Sequence, residues 1–330
     1  MIVAIPRQTT GRRTGIPFAA GRRMNQAAAT VRDEAGIEHL ELEANGLRFH
    51  ALASGPKDGP LVLLLHGFPE FSYGWRHQLR ALGAAGLRAV APDQRGYGRS
   101  DKPAGIRSYE IDRLAMDVVA LAHALDHDRF RLVGHDWGGI VAWHLASNQP
   151  QALERLVILN APHLGIVGRH ALQHPLQLLK SSYVGFFQLP LVPELALTSW
   201  DCALLVSALE RSSRPGTFTP DELKVYRAAW SEDGAMTTML NWYRALALGT
   251  AREPQRIGLP VRVLWGDRDT ALEPSLAEAS LALCDDGEVF HFADATHWLQ
   301  HEKIDDVNQH LVDFLKVERS ARKAARTAAA

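Results

Sequence analysis

The sequence predicts an α/β protein, with a mostly parallel sheet, helices on both of its faces and an all-helical segment inserted late in the chain. Three observations carry this expectation. Continuous apolar runs such as Leu61-Val62-Leu63-Leu64-Leu65 suit strands covered on both faces. These runs alternate with stretches of helical periodicity, which argues for parallel strands joined by right-handed crossovers. The alternation breaks between Asn160 and Leu259, where helix formers and aromatic residues accumulate, and then resumes. A helical lid over one sheet explains that interruption better than two independent domains.

The elements follow in chain order. Residues 38–43 and 47–53 flank Asn45-Gly46, a hairpin dipeptide. The run Leu61–Leu65 ends in His66-Gly67-Phe68-Pro69-Glu70, and a helix is expected from Tyr73 to Ala85. A strand over Leu87–Ala91 then leads into a loop, Asp93–Ser100. Ile111, Leu114, Ala115, Val118, Ala122 and Leu125 recur at helical spacing. The next strand runs from Phe130 into Gly134-His135-Asp136-Trp137-Gly138-Gly139, and a helix continues through Leu145. Leu156–Leu159 is a further strand. After the helical segment come Val261–Trp265, a helix near Ser275–Leu283, a short strand Glu288–His291, and a last helix bearing Ile304, Val307, Leu311 and Phe314. The expected divisions are a disordered basic extension (1–35), core (36–162), helical lid (163–257), core (258–318) and a disordered basic tail (319–330).

Composition narrows the function classes. The chain has 330 residues, 46% hydrophobic and 22% charged, which is ordinary for a soluble enzyme. A net charge of −1 provides no field toward nucleic acid or an anionic membrane. Cys202 and Cys284 form no spaced cluster, so two free thiols are expected in a reducing, cytoplasmic setting, with no metal and no cofactor. No apolar run approaches the roughly 18–20 residues that span a bilayer. Residues 1–23 hold Arg7, Arg12, Arg13, Arg22 and Arg23 without an acidic residue or a stripe of large apolar ones. Met24 offers an alternative start. Monomer and homodimer are both compatible with this composition.

The chemistry concentrates at Asp136. Small residues on both sides permit a sharp strand-to-helix turn that lifts one side chain beside the positive end of a helix. A carboxylate is already ionised at neutral pH and attacks an electrophilic carbon without a base to activate it. Ligands of open parallel sheets bind at the carboxyl ends of strands. Three further loops at such ends carry reactive types: His66–Pro69, Gly266-Asp267-Arg268-Asp269, and Ala295-Thr296-His297-Trp298.

Taken together, HGFPE at 66–70, DxRGYGxS at 93–100 and GHDWGG at 134–139 resemble the α/β-hydrolase superfamily, and within it the epoxide hydrolases, over about residues 38–317. The resemblance implies an eight-stranded, mostly parallel sheet with an inserted cap. It implies a nucleophile–acid–histidine order of Asp136, Asp269 and His297, with Asp269 preferred over Asp267 by its spacing from Gly266. The backbone N–H groups of Phe68 and Trp137 would form an oxyanion hole. Tyr243, in Asn241-Trp242-Tyr243-Arg244, and Tyr183, ahead of Phe187-Gln188-Leu189-Pro190, resemble the lid tyrosines that protonate an epoxide oxygen. Tyr226 reads as packing, and His301 as a surface or supporting histidine. His66, Pro69, Trp137, His163, Phe186, Trp242 and Trp298 are expected to line the substrate pocket. The implied partners are a small-molecule epoxide and water. A haloalkane or haloacid dehalogenase shares the aspartate nucleophile, but Trp137 and Ile140 stand where haloacetate enzymes place arginines. An esterase lacks its serine here. A non-catalytic receptor on this fold would usually have lost part of the triad.

Overall fold

The computed structural model describes residues 31–32, 36–249 and 255–316. The strands are β1 (Val31–Arg32), β2 (Glu38–Ala44), β3 (Leu47–Ser54), β4 (Leu61–Leu65), β5 (Arg88–Pro92), β6 (Phe130–His135), β7 (Leu153–Leu159), β8 (Ile257–Gly266) and β9 (Cys284–Phe292). They form one sheet in the order β1-β2-β3-β5-β4-β6-β7-β8-β9. The pairs β1/β2, β2/β3 and β3/β5 are antiparallel, and every other neighbouring pair is parallel.

Two details depart from expectation. A ninth strand, only two residues long, pairs Val31 and Arg32 with His39 and Glu38, inside the stretch expected to be a disordered extension. Two residues carry no periodicity, so no pattern announces it. The last strand also runs further than Glu288–His291, because it lies at the sheet edge, half-buried, with polar residues breaking the apolar run. The remaining expectations for 1–35 and 319–330 fall outside the described residues.

The core helices are α1 (Arg76–Ala84), α2 (Ile111–Ala124), α3 (Trp137–Asn148), α10 (Ser275–Leu281), α11 (Leu299–Glu302) and α12 (Ile304–Leu315). A single 3-10 turn, Ser72–Trp75, takes the place of the first turn expected for α1. The alternation of side chains along β4 divides the core. Leu61, Leu63 and Leu65 point to the layer of α2 and α3, whereas Val62 and Leu64 join Leu79 and Leu82 of α1 with Val307, Leu311 and Phe314 of α12. Each such side chain is fully buried, a contribution of about 1.5–3 kcal/mol apiece. This covering on both faces fixes the strand ends rigidly, and the reactive loops hang from those ends.

Between β7 and β8 lie the helices α4 (Leu164–Gln173), α5 (Pro175–Lys180), α6 (Ser182–Phe187), α7 (Val192–Ser212), α8 (Pro220–Trp230) and α9 (Ala235–Leu246). α8 begins with a capping box: Thr219 accepts from Glu222 N–H, the Glu222 carboxylate reaches back to Thr219 N–H, and Pro220 occupies the first turn. α7 corrects one expectation, since by length and composition it is long and apolar enough to cross a membrane. Its helical geometry is interrupted from Ser199 to Cys202, and its buried face of Leu197, Leu205, Val206 and Leu209 packs into the protein core.

Candidate active site

β6 delivers Asp136 at its carboxyl end, and α3 departs from the next residue. The Asp136 backbone adopts φ 50°, ψ −120°, a conformation that costs a side-chain-bearing residue about 1–3 kcal/mol. Close packing leaves no alternative route for the chain. A Cβ on Gly138 would collide with the Leu65 carbonyl, and one on Gly134 would strike the Gly138 carbonyl. The turn therefore needs glycine at both places, and the Asp136 carboxylate ends beside the amino end of α3.

Each carboxylate oxygen has its own neighbour. Oδ1 accepts the Phe68 N–H at 2.8 Å, and Oδ2 lies 3.6 Å from His297 Nε2. Burial pushes the Asp136 pKa up, against the opposing pull of the His297 charge and the Phe68 and Trp137 N–H groups. His297 Nδ1 lies 2.6 Å from Asp269 Oδ2. Asp269 is fully enclosed, and it also accepts from Asn160 Nδ2 (2.8 Å) and from the Ala271 and Leu272 N–H groups (2.7 and 3.0 Å). Burial alone would raise its pKa, but His297 and these donors outweigh that and hold it below the usual range. Burial would likewise lower His297, yet Asp269 and Asp136 together lift it to about 9. Asn160, just past the end of β7, is thus one of the groups that hold the Asp269 carboxylate.

Tyr183 and Tyr243 stand together, rings edge-on with centroids 6.0 Å apart. Tyr243 packs edge-on against Phe68 (5.4 Å), Trp137 (5.1 Å) and Phe187 (4.9 Å). Burial, and the Asp136 charge in front of them, raise both hydroxyls above the ordinary tyrosine range. Tyr226 is elsewhere, donating its hydroxyl to Glu70 at 2.5 Å.

The expected pocket lining needs correction. His66 is buried, with Nε2 accepting from Gln94 N–H and Nδ1 set against the Gly67 carbonyl, so it braces the Phe68 loop from beneath. Pro69 offers its carbonyl to Trp230 Nε1 at 2.6 Å. Trp242 lies under Trp137 and Tyr97 and donates to the Arg95 carbonyl, a packing position. His163 caps α4 and lines a separate cavity of about 630 Å³ behind the Trp137 and Trp242 rings. Asp136, His297, Tyr183 and Tyr243 are not among that cavity's described lining residues. Phe186 stays half-buried against Phe187, and Trp298 stacks edge-on beside His297 (5.0 Å) while donating to Ser212.

Behind His297 lies a polar cluster that sequence reasoning missed. Glu70 accepts from Tyr226, pairs with His301 at 2.7 Å and receives Gln300 Nε2 at 3.0 Å. His135 joins it through Gln300 and reaches the His297 carbonyl at 2.9 Å. His301 is accordingly buried, not at the surface. Against the cost of burial, the His301 and His135 charges and the Tyr226 hydroxyl hold Glu70 well below the usual carboxylate range. Only the adjacency of Glu70 to the His66–Pro69 motif hinted at a role.

One substitution tests the closeness of the two loops. A Cβ on Gly67 would press into the Asp136 carboxylate. Gly67→Ala should leave far-UV circular dichroism unchanged yet lower turnover about 100-fold, as misplacement of a reacting group by an ångström does.

A carboxylate on a strand–helix elbow, a histidine–carboxylate pair behind it and helices inserted between the last strands define a class. The chain belongs to the α/β-hydrolase family, whose model, described as the alpha/beta hydrolase fold, matches residues 60–304. Within that family it groups with the epoxide hydrolases. It is 35% identical to Epoxide hydrolase 4 of Mus musculus over 93% of this chain and 88% of that one. The crystal structure of a Bacillus megaterium epoxide hydrolase in complex with an inhibitor superposes with a TM-score of 0.77 at 30% identity, covering 84% of this chain and all of the other. The chain is also 45% identical to the AB hydrolase superfamily protein YfhM of Bacillus subtilis, over 85% and 99% of the two chains.

Proposed function

We propose that this protein opens a small-molecule epoxide to a vicinal diol through a covalent ester on Asp136, with helices α4–α9 as its cap and no cofactor. The observation that carries this reading is that Asp136 Oδ2 lies 3.6 Å from the His297–Asp269 pair while Tyr243, beside Tyr183, packs on the rings of Phe68 and Trp137, the two residues whose N–H groups meet the carboxylate. Asp136 Oδ2 attacks one epoxide carbon, the carbon–oxygen bond opposite breaks, and the departing alkoxide takes a proton from a tyrosine hydroxyl. Raised hydroxyl pKa values keep both tyrosines protonated and ready as donors. The tyrosinate is reprotonated from His297 or solvent.

The second step follows from the first electrostatically. In the resting enzyme two carboxylates hold His297 charged, with its pKa near 9. Esterification removes the Asp136 charge, so the His297 pKa falls and the neutral imidazole becomes able to take a proton from water. The hydroxide adds to the Asp136 carboxyl carbon. The Phe68 N–H, already on Oδ1, and the Trp137 N–H hold the oxyanion that develops there. Collapse releases the diol and restores the carboxylate.

A single turnover in ¹⁸O-water tests the route. The product of that first turnover should be unlabelled, because its new oxygen comes from the Asp136 carboxylate, and the label should appear in the peptide holding Asp136. Label in the first-turnover diol would mean that water attacks the epoxide directly, and the covalent reading would fall.

A further inference from the structure

At the base of the cap, His170 near the end of α4 and His174 just beyond it face Glu273, four residues after Asp269 on the loop following β8. Their spacing of four puts the two histidines on one side of the chain, the arrangement by which a helix presents two imidazoles to one ion. The rings lie parallel, with centroids 3.9 Å apart and planes 2° from parallel, and both reach the same carboxylate oxygen. His170 Nε2 and His174 Nδ1 are each 3.6 Å from Glu273 Oε2. That oxygen is buried, and among the described residues it has no hydrogen-bond partner. The three donor atoms all fall within 4.8 Å of one another.

An ion with bonds of about 2.0–2.2 Å to nitrogen and oxygen holds neighbouring tetrahedral ligands about 3.3–3.6 Å apart. The two nitrogen–oxygen separations match that spacing, and a turn of the half-exposed His174 ring out of the stack would bring both in-plane lone pairs to one point beside Glu273. The surroundings suit a site that an ion can enter from solvent: His170 is almost enclosed, whereas the His174 side chain is 42% exposed. The carboxylate's own backbone is fixed, since Glu273 N–H donates to Gln177 Oε1 at 2.8 Å and Gln177 Nε2 donates to the Ala271 carbonyl at 2.9 Å. Supporting bonds of this kind orient metal ligands. The Ser275 hydroxyl, 3.2 Å from His170 Nε2, stands beside the cluster.

We propose that His170, His174 and Glu273 form a binding site for a divalent transition-metal ion of the zinc class, which clamps the first cap helix to the loop bearing Asp269. Imidazole and carboxylate donors favour such ions over calcium or magnesium, which take oxygen ligands throughout. The site is remote from the Asp136 chemistry and takes no part in it. Its role is mechanical. α5 already meets the same loop through Lys180, which donates to the Asp269 carbonyl at 3.0 Å, and a bound ion would close a second, stronger contact nearby.

The test uses the full-length, tag-free protein, stripped with a chelator and titrated with zinc chloride by calorimetry. Bound metal is measured by atomic absorption after dialysis. Wild type should retain one zinc per chain and melt at a higher temperature with zinc than without it. His174→Ala and Glu273→Gln should weaken binding by about 10–100-fold or more and abolish the thermal shift, with circular dichroism and epoxide turnover of the zinc-free protein unchanged. Cobalt(II) substitution should give a d–d absorption band in wild type alone. A zinc-edge anomalous difference map of crystals soaked in zinc should place one peak among the three side chains, even if a variant folds poorly. The absence of tight binding by wild type, or full binding by both variants, would leave a plain histidine–carboxylate ion pair and overturn the proposal.

Discussion

His297→Gln is expected to stop the reaction halfway and accumulate a covalent enzyme. In the proposed route Asp136 attacks without a base, so ester formation should survive the substitution. Glutamine cannot accept a proton, so the ester then waits on unassisted water, and its hydrolysis should slow by about 10²–10⁴-fold. The trapped species is read by intact-protein mass spectrometry. An epoxide should add its whole mass, because ring opening expels nothing. A haloalkane would add its mass less hydrogen halide, with free halide in solution, and a non-catalytic receptor would add nothing. Peptide mapping should place the adduct on Asp136, and Asp136→Asn should prevent it. A halide-releasing adduct, with no epoxide adduct across a broad panel, would replace the proposed activity with dehalogenation.

The second large effect is expected from the tyrosine pair. Tyr243→Phe and Tyr183→Phe each keep the ring, and with it the edge-on packing on Phe68, Trp137 and Phe187, so the fold should persist. What is lost is a positioned proton. Each single substitution should slow ester formation measurably, and the double substitution should remove the full contribution of a general acid, about 10²–10⁴-fold. The direction of the pKa shifts adds a pH signature. Both hydroxyls titrate above the ordinary tyrosine value, so stopped-flow rates of ester formation should show no loss from tyrosine ionisation up to about pH 10. At the acid end the rate should fall as Asp136 protonates, earlier than for an exposed aspartate because burial raises its pKa. A double variant that opens epoxides at the wild-type rate would sink the epoxide-specific part of the mechanism.

The candidate site around Asp136 was legible in the sequence for a physical reason. An elbow this tight requires small residues at fixed offsets, and Gly134 and Gly138 are visible without coordinates. The strand ends that position Asp136 and Asp269 follow from apolar runs, which doubly covered strands must have, whereas the edge strand before His297 shows only as the short stretch Glu288–His291. The pocket walls were not legible. His66 looks like a lining residue by its motif, yet both of its nitrogens are taken by backbone groups, the Gly67 carbonyl of its own loop and the Gln94 N–H of the next. Trp242 stands next to Tyr243, but successive helical residues point about 100° apart, and Trp242 turns under the site while Tyr243 turns into it. The cluster around Glu70 joins residues from four separate stretches, and no local spacing announces such a meeting.

That cluster has a consequence for the cap as a part. Tyr226 and Trp230 of α8 donate to Glu70 and to the Pro69 carbonyl, two residues and one residue beyond the Phe68 N–H that holds Asp136. The cap is therefore wired into the oxyanion loop from above, while His66 braces that loop from below. A transplanted cap that lacked these two donors would bring its own pocket shape at the expense of both bonds. The buried Glu70 carboxylate would then lack one of its partners, at a cost of about 1–3 kcal/mol or more, beside the group that stabilises the reaction. For this chain, cap and core are a matched pair rather than interchangeable modules, and changes of substrate preference are better sought by repacking Phe186 and Phe187 within the existing cap than by exchanging it.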